Sequence, residues 1–439
     1  MGKRNREKRA AKAKQRARRG PTEPRADPEF LDEQTFAQAQ RHALAQAVRM
    51  AAQTHVLHGP EAAAEHVELV CEATRTMGAR AVWLLLEQML LAETGEIWSR
   101  GWSPVDVHQL VRRRVGKDAA TLVADVVAAE HERYVPATVH PRWQDQLAGI
   151  GAQVWWDRAE PLLTQWAARH GHDRTSMVTA AIAVIGDLAY TGATAPVLPP
   201  PGSARTASGG RAGVDEKVLA RVRALLAKAE STDYPDEAEA LSGKAQELMH
   251  RYALDQAAVA AEQHAAPVVA TRRMWLDSPY LAEKAHLVGA VAEANRCRTV
   301  LAEKPGYLTL VGDELDLDAT ELLATSLLVQ ANRAMLVEGR QVRRGGQSGT
   351  RSFRQSFLVS YAVRVGERLH EVTGAGDAVS QALVPVFAAR AQAVDSRVDE
   401  LFPELRGRGF RAGDASGWAA GRAAANRANL TLDRASVRG

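Results

Sequence analysis

The sequence predicts a mainly α-helical protein with a small α+β C-terminal domain: an N-terminal helical bundle, a short three-helix module, then helices packed on a small antiparallel sheet. Three observations carry this reading. Residues 29 to 190 are rich in Ala, Leu and Val, with Pro and Gly where helices would start and stop. Residues 217 to 252 repeat apolar side chains at the 3.6-residue helical period. Between Cys297 and Val311, two short apolar runs flank Glu303-Lys304-Pro305-Gly306 in the pattern of a β-hairpin. With 439 residues, 46% hydrophobic and 25% charged, the composition is that of a folded globular chain and allows about three domains.

Residues 1 to 28 form a basic tail. Lys3, Arg4, Arg6, Lys8, Arg9, Lys12, Lys14, Arg16, Arg18 and Arg19 stand there against the single acid Glu7 within the first 20 residues. The rest of the chain holds 46 Lys and Arg against 51 Asp and Glu, so the whole positive excess of the +4 net charge lies in this segment. Such a stretch cannot bury enough apolar surface to offset its ordering entropy, and alone it is expected to be disordered or transiently helical and suited to a polyanion. No apolar run follows it, unlike a secretory signal. The uncharged stretch from Thr175 to Gly186 is too short to span a bilayer, so no membrane association is expected. Cys71 and Cys297 are too far apart in sequence to form a metal-type pair, which favours free thiols acting as small buried hydrophobes in a reducing, cytoplasmic setting.

Within the bundle, residues 29–190, Ser103 is placed to cap a helix with Pro104 in its first position and Asp106 three residues after the cap, while Trp102 and Val107 suit a hydrophobic staple. Arg112, Arg113 and Arg114 complement the negative end of that helix. His140-Pro141 and Asp173 mark two further helix starts. Seven of the nine Trp fall in this region, at positions 83, 98, 102, 143, 155, 156 and 166, and read as packing anchors rather than base-stacking platforms. Residues 191–213 then gather Pro196, Pro199, Pro200 and Pro201 with five Gly, the composition of a partly stiff linker and a domain boundary.

Residues 214–264 read as three short helices. In the first, Val218, Val222, Leu225 and Ala229 share a face bordered by Lys217, Arg221 and Lys228. After the turn around Ser231-Thr232-Asp233-Tyr234-Pro235, the second helix repeats Ala238, Leu241, Ala245, Leu248, Met249 and Tyr252, and Asp255 is placed to cap a third. The blocks Leu225-Leu226-Ala227-Lys228-Ala229, Glu237-Ala238-Glu239-Ala240 and Lys244-Ala245-Gln246-Glu247-Leu248-Met249 stand in the order of the family called domain of unknown function 2786, which this stretch of about 40 residues resembles. The resemblance extends to a companion C-terminal domain and to the layout of long actinobacterial members. It implies an architecture and a bacterial or phage setting, and supplies no activity or catalytic residues.

The C-terminal domain, residues 265–430, starts with a strand within Pro267–Leu276 and a helix opened by Ser278-Pro279. The hairpin follows, with Pro305 and Gly306 suiting the centre of a type II turn. A helix from about Asp318 to Val337, a flexible Arg/Gly loop from Arg340 to Arg354, and helices to about Val372, over 377–401 and over Ala415–Asn426 complete it.

Charge gives the strongest functional expectation, a non-enzymatic factor that binds nucleic acid or a ribonucleoprotein without sequence preference. The tail supplies cations, and a second element is the loop with Arg340, Arg343, Arg344 and Arg351. At about 100° per residue, Phe353, Arg354, Phe357, Tyr361, Arg364 and Arg368 fall in one arc of roughly 100°, where rings and guanidinium groups could stack bases and pair phosphates. The competing account buries that helix on two sides, with its arginines meeting acids of a neighbour. Leu405 to Arg411 repeats the Arg/Gly theme, as a terminal turn also would.

Enzyme chemistry leaves fainter marks. His55 and His58 share a face, yet no further metal-ligand spacing follows, and His131-Glu132 and His370-Glu371 each lack the second histidine of a zinc protease helix. Neither phosphate-cradling glycine fingerprint nor a nucleophile elbow is present, and Gly312-Asp313-Glu314 would repel phosphate. No cofactor or metal is therefore expected. The rival reading is an enzyme with a pocket between the small helical module and the C-terminal domain, using Lys228, Glu237, Glu239 and His250. Glu237 and Glu239 are about 200° apart on a helix and cannot converge on one atom. A third reading is a protein-interaction scaffold built on the N-terminal bundle.

Overall fold

The apolar periods of the sequence become fifteen α-helices and one three-stranded antiparallel sheet among the described residues. The computed structural model describes residues 33–203, 212–231, 235–262, 267–344, 351–375, 383–405 and 414–427. In chain order the helices before the family-like segment are α1 (Glu33–His58), α2 (Pro60–Met77), α3 (Ala79–Ser99), α4 (Pro104–Arg114), α5 (Lys117–His131), α6 (Pro141–Gly149), α7 (Leu162–His170) and α8 (Arg174–Ala189). After them come α9 (Ala212–Ser231), α10 (Pro235–Glu262), β1 (Ala270–Trp275), α11 (Leu281–Ala294), β2 (Arg298–Ala302), β3 (Tyr307–Gly312), α12 (Glu314–Arg344), α13 (Arg351–Ala375), α14 (Val384–Leu401) and α15 (Ala415–Arg427). The tail residues Lys3 to Arg19 lie outside the described residues.

The described residues divide into two compact units, those within 33–88 and 158–186 and those within 89–157 and 187–427, so the expected bundle of residues 29–190 is shared between them. In the first unit, Leu44, Val48, Ala51 and Ala52 of α1 and Ala63, Val67 and Val70 of α2 are buried, as are Trp83, Leu86, Trp166 and Ile182. Pro161 offers α7 no side-chain cap. Glu87 of α3 does this from outside the helix, accepting the Leu163 N–H at 2.9 Å. Burial pushes the Glu87 carboxyl up to about 6, against the backbone N–H groups of Leu163 and Leu162 and the charge of Arg80.

The second unit is built on the sheet. Its order is β1-β3-β2, with all six residues of β3 buried between two edge strands. Leu308 and Leu310 of β3 pair with Met274 and Arg272 of β1 on the face that meets α11, α12 and α13. The β2–β3 hairpin forms where the sequence indicates. Its loop is closed by the Gly306 N–H to the Ala302 carbonyl at 3.0 Å, one residue wider than a type II turn, with Gly306 at φ +88°. Five of the seven tryptophans, at positions 83, 98, 102, 143 and 166, are buried anchors as expected. Cys71 and Cys297 are both free thiols, and Cys297 is buried.

Several expectations are corrected. The third helix of the small module does not form. Ala245, Met249, Ala253 and Ala257 continue one buried stripe at four-residue spacing, and Asp255 lies inside α10 because no Gly or Pro interrupts the hydrogen-bond ladder there. Residues 191–203 of the expected linker are tied down. Arg100 donates to the carbonyls of Leu188 and Thr191 at 2.9 and 2.7 Å, Trp102 donates to Gly192 at 2.8 Å, and the Gly202 N–H donates to Thr138 at 3.1 Å. Positions 204–211 lie outside the described residues. The helix expected to end near Val337 runs on to Arg344, because Met335 and Gly339 continue its buried stripe.

The largest correction concerns α13. Phe353, Phe357 and Tyr361 are 1%, 0% and 1% exposed, so the expected base-stacking face is a packing face. Leu358, Val359 and Ala362 are buried as well. The aromatic side is covered by α15, whose Gly417 and Gly421 approach so closely that an added Cβ would overlap the Phe353 and Phe357 carbonyl oxygens. Ser360 Oγ donates to the Trp418 carbonyl at 2.5 Å. Arg368 is buried and donates to the terminal carbonyls of Ala425 and Asn426, while Arg364 is held by Glu367 at 2.8 Å. Sequence periodicity marks this helix as amphipathic but cannot say that both faces are covered.

Two measurements check these arguments. Gly421→Val forces α13 and α15 apart and should lower unfolding stability by about 1–3 kcal/mol in denaturant titration, with Ala423→Val on the exposed side of α15 close to neutral. Because the folded-state Glu87 pKa lies above that of an unfolded glutamate, its contribution is complete below about pH 4.5 and is lost as pH rises through about 6. Glu87→Gln should remove this slope, on the order of 1 kcal/mol between pH 4.5 and 6.5, in thermal unfolding compared with wild type.

Candidate functional site

The second unit gathers its charged groups around the outer strand of the sheet. Alternation along β1 sends Arg272 toward α12 and sends Thr271, Arg273 and Trp275 to the opposite face. On that opposite face lies Asp106, delivered by the helix start that the sequence indicates. The capping box of Ser103 and Asp106 is present, with the Ser103 N–H donating to Oδ2 at 3.1 Å and its hydroxyl at 2.6 Å. Asp106 also accepts from Arg273 Nη1 and from Trp275 Nε1 at 2.8 Å. Arg273 and Asp106 side chains are 1% and 2% exposed, so this is a fully desolvated ion pair. The guanidinium lies 5.0 Å from the Trp102 ring centroid and 4.7 Å from that of Tyr307, and it donates to the Ala195 carbonyl at 2.7 Å.

Toward α12, Glu314, Asp318 and Glu321 follow at four- and three-residue spacing and share one helix face. Arg142 of α6 donates to Glu314 at 2.8 Å and to Asp318 at 3.0 Å. Arg272 pairs with Asp318 and, at 3.2 Å, with Glu321. Burial raises the Asp318 pKa, with Glu314 adding to the rise and Arg272 and Arg223 opposing it. Arg113 of α4 donates to the Leu276 carbonyl at 2.9 Å and to Asp277 at 3.0 Å, and its guanidinium stacks on Trp275 at 4.9 Å. Burial lowers its pKa, and Asp277 opposes the fall.

Between these groups runs a cleft of about 810 Å³. Its walls are residues 268–273, Pro196 to Pro200, His140 and Arg142, Leu219 and Arg223 of α9, and the acidic face of α12. A smaller cavity of about 420 Å³ adjoins it, sharing Arg223, Asp318 and Glu321 and lined further by Leu226, Glu230 and Leu322. Lysine and histidine chemistry expected between the small module and the C-terminal domain is not what lines these spaces. Lys228 is exposed on α9, His250 is half-buried on α10, and the side chains of Glu237 and Glu239 lie outside the described residues. Arg142, Arg223, Arg272, Asp318 and Glu321 escaped the sequence reading. The one available signal was the spacing of the three acids, which is common on solvated helix faces.

The expected nucleic-acid residues are not brought together on one face. Arg340 is exposed near the end of α12, and Arg343 and Arg344 follow in its last turn with side chains outside the described residues. Arg351 is exposed and Arg354 half-buried at the start of α13. Phe353, Phe357, Tyr361 and Arg368 are buried, and Arg364 is paired. Among the described residues no three His, Cys, Asp or Glu are placed to hold a metal ion, and no helix is long and apolar enough to cross a membrane.

A helical hairpin packed on a mainly helical domain with a three-stranded sheet defines the class of this protein. Residues 217–256, which are α9 from Lys217 onward and most of α10, match the family described as Protein of unknown function (DUF2786). No curated protein and no solved structure matches the chain. Val222, Leu226, Ala245 and Met249 of this segment enter the same core as α11, α12 and α13, and Gln246 donates to Asn295 at 3.2 Å in the interior.

Removing the charge of Asp106 would strand a buried guanidinium. Asp106→Asn should therefore cost about 3–5 kcal/mol in chemical denaturation, while Glu400→Gln, at the exposed pair with Arg397, should cost under about 1 kcal/mol.

Proposed function

We propose that the protein is a non-enzymatic factor that associates with nucleic acid or a ribonucleoprotein in the cytoplasm, held to phosphates by its basic N-terminal segment. The observation that carries this reading is the charge division: ten Lys and Arg against one acid in residues 1–20, on a remainder with 46 basic and 51 acidic residues. A net-negative body repels a polyanion, so attraction has to come from the tail. Arginines of the folded part support the same division. Arg113, Arg142, Arg272, Arg273, Arg296, Arg368 and Arg422 are engaged by internal carboxylates or carbonyls. Exposed Arg340, near the end of α12, and Arg351, at the start of α13, offer the body a second phosphate contact. Without stacking aromatics there, the binding is governed by counterion release and takes RNA or DNA regardless of sequence.

The test is binding of fluorescent duplex and single-stranded oligonucleotides across a salt series, with nuclease-treated protein. If about five tail charges engage phosphates, log affinity against log salt should have a slope near −4.5 for duplex and near −3.5 for single strands. Deleting residues 1–20 should reduce affinity by at least tenfold and flatten the slope, whereas Arg340→Ala with Arg351→Ala should change the slope by about one to two. An unchanged affinity after the deletion would refute the proposal.

A further inference from the structure

β1 is an edge strand, because among the described residues its only neighbour in the sheet is β3. One row of its backbone N–H and C=O groups therefore points away from the sheet. Its side chains identify the two faces, since Arg272 meets α12 on one while Thr271 Oγ1 donates to the Pro196 carbonyl, at 3.1 Å, on the other. Yet residues 268, 269, 270, 271, 272 and 273 all line the same cleft. Consecutive strand residues point to opposite faces, so a cleft touched by all four strand residues 270–273, and by 268 and 269 just before them, runs along the edge itself. Its volume of about 810 Å³ lies within the range that encloses a sizeable ligand.

We propose that this cleft binds an extended peptide segment, which adds to β1 as a further strand and is held mainly through its backbone. Charge does not select the occupant, because the lining carries five arginines and five carboxylates, and Arg142 and Arg272 are already paired with α12. The apolar wall does, since Val197, Leu198, Leu219 and the 71% exposed Val268 suit uncharged, β-branched side chains. Recognition of this kind draws affinity from main-chain hydrogen bonds and takes alternate side chains into flanking pockets. It is independent of the tail.

The experiment uses the full chain after nuclease treatment and the synthetic peptide acetyl-Val-Thr-Val-Thr-Val-amide, followed by hydrogen exchange of the fragment spanning residues 268–276. At millimolar peptide, exchange there should slow at least threefold, with α1 and α2 unaffected. Two further peptides carry N-methyl groups on alternate residues, one in each register. Only the register whose N–H groups face β1 should lose the protection, because methylation of the outer row leaves the ladder intact. No slowing at β1, or loss of protection in both registers or in neither, would overturn the proposal.

Discussion

A carboxylate withdrawn from water must find donors on every side, and Asp106 is the group on which the larger unit depends. It closes the first turn of α4, neutralises a guanidinium that is itself out of solvent, and receives the indole of Trp275. Those partners come from a helix start and a sheet strand 167 positions apart in sequence. Breaking any one would leave charge without solvation, which is far worse for a folded protein than never having buried the pair. The ion pair therefore fixes which face of β1 meets α4, and with it the position of Thr194 and Ala195 against Arg273.

Arginine serves this structure mainly as an internal strut. Arg100, Arg113, Arg273 and Arg368 each donate to backbone carbonyls, and a planar fork with five donors suits positions where chain ends or irregular segments present several oxygens at once. The basic residues at positions 3–19 stand beside a single acid in the sequence, whereas these arginines are matched by acceptors within the fold.

Much of the secondary structure was legible because it rests on local rules. The Ser103 capping box, the hairpin around Gly306 and the helical stripe of the family-like segment all follow from spacing within a few residues. What escaped depends on distant partners. The aromatic face of α13 has the periodicity of a binding surface, and the shared core with α11 and α12 together with the close approach of Gly417 and Gly421 makes it a packing face. Likewise the prolines at 196, 199 and 200 look like linker chemistry until Arg100, Trp102 and Thr271 take up the carbonyls around them. The cleft was illegible for the same reason, since its walls come from seven separate stretches of chain.

The glycine-lined seat of α15 also imposes an order on biosynthesis. Phe353 and Phe357 leave the ribosome about 60 residues before Gly417 and Gly421, whose bare backbone meets their carbonyls. Until α15 follows, the backbone at Phe353 and Phe357 lacks the helix that packs directly against it. That side of α13 is thus completed by a segment made about 60 residues after it.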